Sequence, residues 1–259
     1  MFNPYTNRIE QIAKQYQPTI TQLESLLVGT FNTYIDYANV RPWSEKLGWH
    51  IDTKRLMQFL KSFDNTGIAK FYVGELAGDK NSEDFIKEIT LQRYEVRTKP
   101  VKIMSIPIDV SSIPLQSTAL LNNFIRTALV RRYDVATIEY LNKKFEEMNK
   151  QGIYSIEDRK CNFDVEIGRD MLLDHERNQI ETFLLWSGDS DFAEPVEQLL
   201  ADGKKVVLFA TARKVSTELN DLQSKGLFIF DIQKIRNFIC WKREINLLKT
   251  QKGLPFGSP

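Results

Sequence analysis

Thr182, Phe183, Leu184, Leu185 and Trp186 form an unbroken strand-forming run that stops at Ser187-Gly188 and passes at once into Asp189-Ser190-Asp191-Phe192. A run without polar alternation predicts a parallel strand covered on both faces, and the glycine marks its carboxyl end. After it the pattern predicts a helix from Phe192 to Ala201 closed by Gly203, a strand over Lys205 to Ala210, a helix around Ser216 to Leu222 and a strand over Leu227 to Asp231. This rhythm of strand and helix is that of a parallel sheet with crossover helices. A last helix is expected to carry Ile235, Phe238, Ile239, Trp241 and Leu247, with Gly253 to Pro259 as a tail.

Upstream, Ile9, Ile12, Tyr16, Ile20, Leu23 and Leu27 recur at helical intervals across Pro18, which predicts one or two amphipathic helices. Thr30 to Asn39 is a β-rich run that ends in Asp36, with Asn39 three residues on. Asp52 or Thr53 caps a helix with Leu56, Leu60 and Phe63 inward; Ile68 to Gly74 reads as a strand and Ser82 to Ile89 as a short helix. Tyr94 to Arg97 and Val101 to Ile106 read as one extended stretch split by Pro100. From about Pro114 to Gly152 the spacing turns helical, with Leu120, Phe124 and Leu129 in one segment and Val135, Ile138, Leu141, Phe145 and Met148 in the next. Phe163, Ile167 and Met171 then stripe a helix, with Asp164 one position off the stripe.

Composition narrows the class without naming a partner. Apolar residues make up 42% and charged residues 27%, as in a soluble globular protein, and 35 Lys plus Arg against 34 Asp plus Glu leave no bulk bias toward nucleic acid. Arg126, Arg131, Arg132, Lys143, Lys144 and Lys150 mark the helical region. A mixed-charge helix is ordinarily a solvated face, so RNA contact there is the lesser reading. Cys161 and Cys240 are too few and too distant for a metal knuckle or a disulfide framework, which points to reduced thiols in an intracellular, cytoplasmic setting. The N-terminus has no apolar core of a signal peptide, no run approaches a membrane span, and no repeat or low-complexity segment is visible.

Asp36, Asp164, Asp189 and Asp191 stand apart from the surface charges, because each ends an apolar strand or flanks a buried helix face. In open α/β sheets that crevice is where ligands bind. Carboxylates gathered there repel one another, and a divalent cation is the simplest offset. Phosphodiester cleavage uses such acids to hold Mg²⁺ or Mn²⁺. Each residue also has a plainer reading: Asp191 as a helix cap, Asp36 as an ordinary strand end, Asn39 as a turn former. Glu157, Asp158, Glu166 and Asp170 compete with Asp164, and Asp164 is favoured over Asp170 because the two fall on different helical faces. Tyr37, Trp43 and Trp49 are candidates to stack on bases but more often pack at a rim, and His50 and His175 share no ligand spacing.

The order Ile35-Asp36-Tyr37-Ala38-Asn39, Lys160 with Phe163-Asp164-Val165, Ser187-Gly188-Asp189-Ser190-Asp191-Phe192 with Pro195, and Gly203-Lys204-Lys205-Val206 resembles the NYN-domain branch of the PIN-like nucleases. Ser216, Leu219 and Phe228-Ile229 fall where that family has its closing segment. The resemblance covers most of residues 30 to 235 and is dense only at its motif blocks. It implies a Rossmann-like, three-layer α/β/α sandwich with a central, mainly parallel sheet. The expected division is a helical extension over 1–28, the NYN/PIN-like domain over 29–240 with a helical insertion near 114–152, and a helix end and tail over 241–259. It further implies a metal-dependent nuclease, most often an endoribonuclease, with Asp36, Asp164, Asp189 and Asp191 as catalytic and metal-binding acids and Mg²⁺ or Mn²⁺ as cofactor. Asn39 and Ser187 would be polar helpers, and Lys160, one helical turn before Asp164, would reach a phosphate or pair with that acid. RNA is the expected partner ahead of DNA, with no membrane, and the insertion is a candidate dimer or partner surface. The alternatives are a PIN-like RNA-binding or scaffolding protein that no longer cuts, a DNA-directed nuclease of the same fold, and, ranked low because Ala38 stands where a second acid is needed, a phosphatase with Asp36 as nucleophile.

Overall fold

The structure is a computed structural model that describes residues 1–178, 180–211 and 215–245. It holds eight strands: β1 (Phe31–Asp36), β2 (Thr66–Glu75), β3 (Glu95–Pro100), β4 (Lys102–Pro107), β5 (Ser155–Lys160), β6 (Thr182–Trp186), β7 (Lys205–Ala210) and β8 (Phe228–Asp231). The chain divides into two compact units, Val101–Cys161 and the remainder on either side of it.

In the larger unit six strands line up in the order β3-β2-β1-β6-β7-β8, and every neighbouring pair runs parallel. All six residues of β1 and all five of β6 are buried; β6 therefore reads as a continuous apolar run, while β1 buries polar Asn32, Thr33 and Asp36 among its apolar residues. The chain lays down β1, moves outward through β2 and β3, and later returns to the other side of β1 with β6. The connections therefore diverge between the carboxyl ends of β1 and β6, and this switch point is the place a doubly wound sheet leaves open.

The two faces of the sheet differ in chemistry. Phe31 and Phe71 point to an aromatic face, where Phe63, Phe85 and Tyr94 meet them with ring centroids 5.1 to 6.2 Å apart. Phe85 comes from the helix Lys80–Leu91. Alternate residues Asn32, Tyr34 and Asp36 of β1, with Lys70 and Tyr72 of β2, point to the other face, against the helix Asp164–Asn178. That helix buries Asp170 and Asp174 along with Ile167 and Met171. Asp174 accepts from Tyr34 Oη at 2.6 Å and Asn32 Nδ2 at 2.8 Å and pairs with Lys70 at 2.9 Å, while Asp170 accepts from Tyr72 Oη at 3.0 Å. Buried acids are tolerated only when satisfied in this way. Burial would raise the Asp174 carboxyl, yet the donors Tyr34, Lys70 and Asn32 outweigh it and hold it below the usual range.

The smaller unit pairs β4 and β5 antiparallel, from Lys102 opposite Lys160 to Pro107 opposite Ser155. Its helix Val135–Lys150 starts at Asp134, whose side chain accepts from the Thr137 N–H, and buries Asn142 and Asn149. Asn149 Nδ2 donates to Ile108 O and Ile153 O, and Asn142 Nδ2 donates to Leu115 O and Ser117 O, so two amides tie the helix to the chain before and after it.

The structure departs from the sequence pattern in three places. Tyr94 to Ile106 is not one stretch: β3 joins the parallel sheet and β4 joins β5, with the break between Pro100 and Lys102. The expected first insertion helix is a 3-10 turn over Leu121–Asn123 and a short helix over Thr127–Val130. The last helix is broken as well. Arg236–Ile239 ends at Cys240, because Ile51 bridges to Cys240 and Trp241 N donates to His50 O; Leu247 and the tail lie outside the described residues. Neither cysteine is in a disulfide. Among the described residues no helix is long and apolar enough to cross a membrane.

Candidate active site

Asp36 is the last residue of β1, and Ser187 follows the last residue of β6; since Ile35 pairs with Trp186, the two lie side by side at the switch point. Ser187 Oγ donates to Asp36 Oδ2 at 3.2 Å and itself accepts from the Asp189 N–H at 3.3 Å. Asn39 N–H donates to the other oxygen, Asp36 Oδ1, at 3.3 Å, as the short helix Tyr37–Val40 begins. Both oxygens of Asp36 are therefore held. Burial pushes its carboxyl up, to about 6, against these hydrogen bonds and with help from the charge on Asp189.

Asp164 arrives from a third segment. It opens the helix Asp164–Asn178, and Asn162 Oδ1 accepts its N–H at 3.0 Å. Burial pushes its carboxyl up, to about 7; Asn162 opposes this, and a hydrogen bond with Asp191 and the charges of Asp36 and Asp189 add to it. Asp164 is thus within reach of all three other acids. Its Oδ2 is buried with no hydrogen-bond partner, and no Lys or Arg pairs with any of the four acids among the described residues. Exposure grades outward from buried Asp36, through half-buried Asp164 and Asp189, to exposed Asp191. Asp191 sits in a 3-10 turn, Ser190–Phe192, that precedes the helix Ala193–Ala201, and it makes no capping bond there.

The donor set is entirely carboxylate, with serine and asparagine at its edge, which suits a hard divalent cation such as Mg²⁺ or Mn²⁺ rather than zinc. The orphaned Asp164 Oδ2 and the carboxyls of Asp36 and Asp164, both pushed up by burial and by the charge of Asp189, fit a site that takes positive charge. Among the described residues, however, no group of three His, Cys, Asp or Glu side chains is arranged to hold an ion as it stands. Carboxylates close enough to raise each other's pKa are also driven apart by the same charge. Seating an ion between them takes rotation of at least one side chain.

A carboxyl raised in the folded state above its ordinary value of 3.8 favours folding when protonated, so its contribution is full below that value and is lost as pH rises through about 6 for Asp36 and about 7 for Asp164. Thermal melts in EDTA are expected to show Asp164→Asn gaining on wild type as pH rises from about 4.5 to 8, the window those shifts define. A constant difference across that window would contradict the clustering.

Other expected participants are placed differently. Asn39 turns its Oδ1 to Trp43 Nε1 at 3.2 Å, so what it gives Asp36 is its backbone N–H. Lys160 does not precede Asp164 on its helix: it ends β5 in the smaller unit and pairs with Asp158 at 3.3 Å, because Asn162 caps the helix and stops it short. Trp43 and Trp49 are buried core residues, and Tyr37 stacks on Phe85 at 5.0 Å. His50 and His175 are far apart in role, one against Glu244 and one against Asp202. Asp174, Lys70 and Tyr72 are not singled out by the sequence pattern, and Asp170 enters there only as a competitor of Asp164. The signal for Asp174 is its place one helical turn after Asp170.

A doubly wound α/β sheet with acids gathered at its switch point defines the class. The NYN domain, a domain of the PIN-like nuclease superfamily, matches residues 104–230. Asp164, Asp189 and Asp191 fall inside that stretch, and Asp36 and Asn39 precede it. The chain is similar to a crystal structure of a protein of unknown function from Vibrio parahaemolyticus, at 18% identity and a TM-score of 0.49, over 82% of this chain and 96% of that one. No curated protein matches it.

Proposed function

We propose that the chain is a metal-dependent nuclease that hydrolyses RNA phosphodiester bonds in the crevice between β1 and β6. The observation that carries this reading is the gathering of Asp36, Asp164, Asp189 and Asp191 from three separate segments at the switch point, with no Lys or Arg paired to them among the described residues. These four would hold Mg²⁺ or Mn²⁺. A cation seated there supplies Lewis acidity for the scissile phosphate and for an attacking water. Asp36 is the fixed floor of the site, clamped by the Ser187 hydroxyl and the Asn39 N–H. Asp189 adds to that clamp through its own N–H, which donates to Ser187 Oγ and ties the strand end to the turn after it. Asp191, at the exposed rim, is the acid that meets an incoming chain first. RNA is the substrate that the resemblance to the NYN branch implies.

The test is a cleavage assay on matched labelled RNA and DNA in Mn²⁺ or EDTA. Cleavage of RNA in Mn²⁺, lost in EDTA, supports the reading; preference for DNA moves the substrate, and activity that survives EDTA refutes the mechanism. One observation favours a second reading, an RNA-binding protein that no longer cuts: among the described residues no three acids stand arranged to hold an ion. RNA bound without turnover across Mg²⁺, Mn²⁺ and Co²⁺ would select it.

A further inference from the structure

The smaller unit shows a concentration of free positive charge that the site chemistry does not use. In the stretch 124–133, Phe124, Leu129 and Tyr133 are each about two-fifths exposed, at 40%, 46% and 40%. Interleaved with them are Arg126, Arg131 and Arg132, all exposed, and none pairs with a carboxylate among the described residues. Elsewhere in the same unit Lys144, Lys150, Arg159 and Lys160 each lie 2.8 to 3.5 Å from a Glu or Asp. The one acid bordering the stretch, Asp134, is occupied by the Thr137 N–H at 2.6 Å. The apolar side chains that hold the segment from beneath are Leu121, Val130 and Ile138, with Phe145 against them; Phe124 packs on Phe145 with ring centroids 5.6 Å apart, whereas Tyr133 is no part of that cluster.

Three guanidiniums within seven residues repel one another unless an anion lies across them. Arginine favours phosphate because its planar fork donates two parallel hydrogen bonds. Exposed aromatic rings between such cations suit bases that are free to unstack, which a duplex does not offer. We propose that residues 124–133 hold single-stranded RNA, with Arg126, Arg131 and Arg132 on phosphates and Tyr133 stacked on a base. The choice of RNA rests on the nuclease reading above; the demand for a flexible polyanion rests on the arginines and Tyr133 alone.

The experiment uses the full chain carrying Asp189→Asn, in EDTA, with a fluorescent single-stranded RNA of about 20 nucleotides, followed by anisotropy from roughly 50 to 300 mM salt. R126Q/R131Q/R132Q is expected to weaken binding at least tenfold at the lowest salt and to reduce the slope of log affinity against log salt by about 2, near 0.7 for each lost phosphate contact. Tyr133→Ala is expected to weaken binding about 5- to 150-fold, the range for one lost base stack, with the slope unchanged. Arg126→Lys/Arg131→Lys/Arg132→Lys keeps the charge and should keep the slope, which separates loss of contact from loss of fold. Unchanged affinity and slope in the glutamine variant overturn the proposal. So does an equal loss on duplex RNA, or a dimer that dissociates on substitution while RNA binding stays intact. The two readings fail separately. If wild type and the glutamine variant cleave RNA with the same kcat/KM, the surface assignment falls and the nuclease stands; if wild type binds through this stretch yet never cleaves, the nuclease falls and the surface stands.

Discussion

Asp36→Asn is expected to abolish metal-dependent cleavage, with a loss of about a thousandfold or more, roughly 4 kcal/mol of barrier, while the protein stays folded. Asparagine keeps the shape of the side chain, so the Asn39 N–H still finds an oxygen acceptor at the end of β1. What disappears is a buried negative charge already pushed up to about 6 by burial and by Asp189. Removing it relieves repulsion among the acids, and at pH 7.5 without metal the variant should melt no lower than wild type. A residue that serves activity at the cost of stability behaves in this way. Cleavage rates and Mn²⁺ titration of the same preparations check both halves. An asparagine variant that cuts within tenfold of wild type would remove Asp36 from the site.

The second large effect concerns stability. Lys70→Met is expected to destabilise the fold by about 3 kcal/mol, the lower end of the range for breaking a buried ion pair from one side. Lys70 and Asp174 have side chains only 6% exposed and meet at 2.9 Å between β2 and the helix Asp164–Asn178. Without Lys70, Asp174 keeps its donors Tyr34, Asn32 and Asn178 but no counter-charge. The double variant Lys70→Met/Asp174→Leu should recover much of the loss, because it removes the uncompensated charge rather than leaving it. Urea unfolding of the two variants measures the difference. Should Lys70→Met cost under about 1 kcal/mol, the pair is not the anchor that its burial indicates.

The parts of the fold that were legible are those in which side-chain chemistry and backbone state agree. Leu184 to Trp186 could only be buried, and Asp189 and Asp191 follow a strand end that Gly188 marks. β5 gave no such sign: Ser155 to Lys160 is Ser-Ile-Glu-Asp-Arg-Lys, largely exposed, and it is a strand because β4 pairs with it. Lys160 was misplaced for the same reason, since a helix start set by the Asn162 side chain cannot be seen in periodicity alone. Asp174 and Lys70 were hidden by the ordinary expectation that charges face water. Trp43 and Trp49 are core residues although the loop that carries them is rich in polar neighbours. The convergence of Asp36 with Asp164 lay beyond reach, because it depends on which strand returns beside β1, a choice that spacing along the chain does not encode.

Asn32, Tyr34 and Asp36 occupy alternate positions of one strand and share one side of the sheet. A pairing error of a single place would turn all three away together. The chain then forfeits its grip on Asp174 in the same stroke as its candidate catalytic acid, so no half-assembled form keeps one without the other. Turnover in this protein would double as a readout of whether β1 has found its proper neighbours.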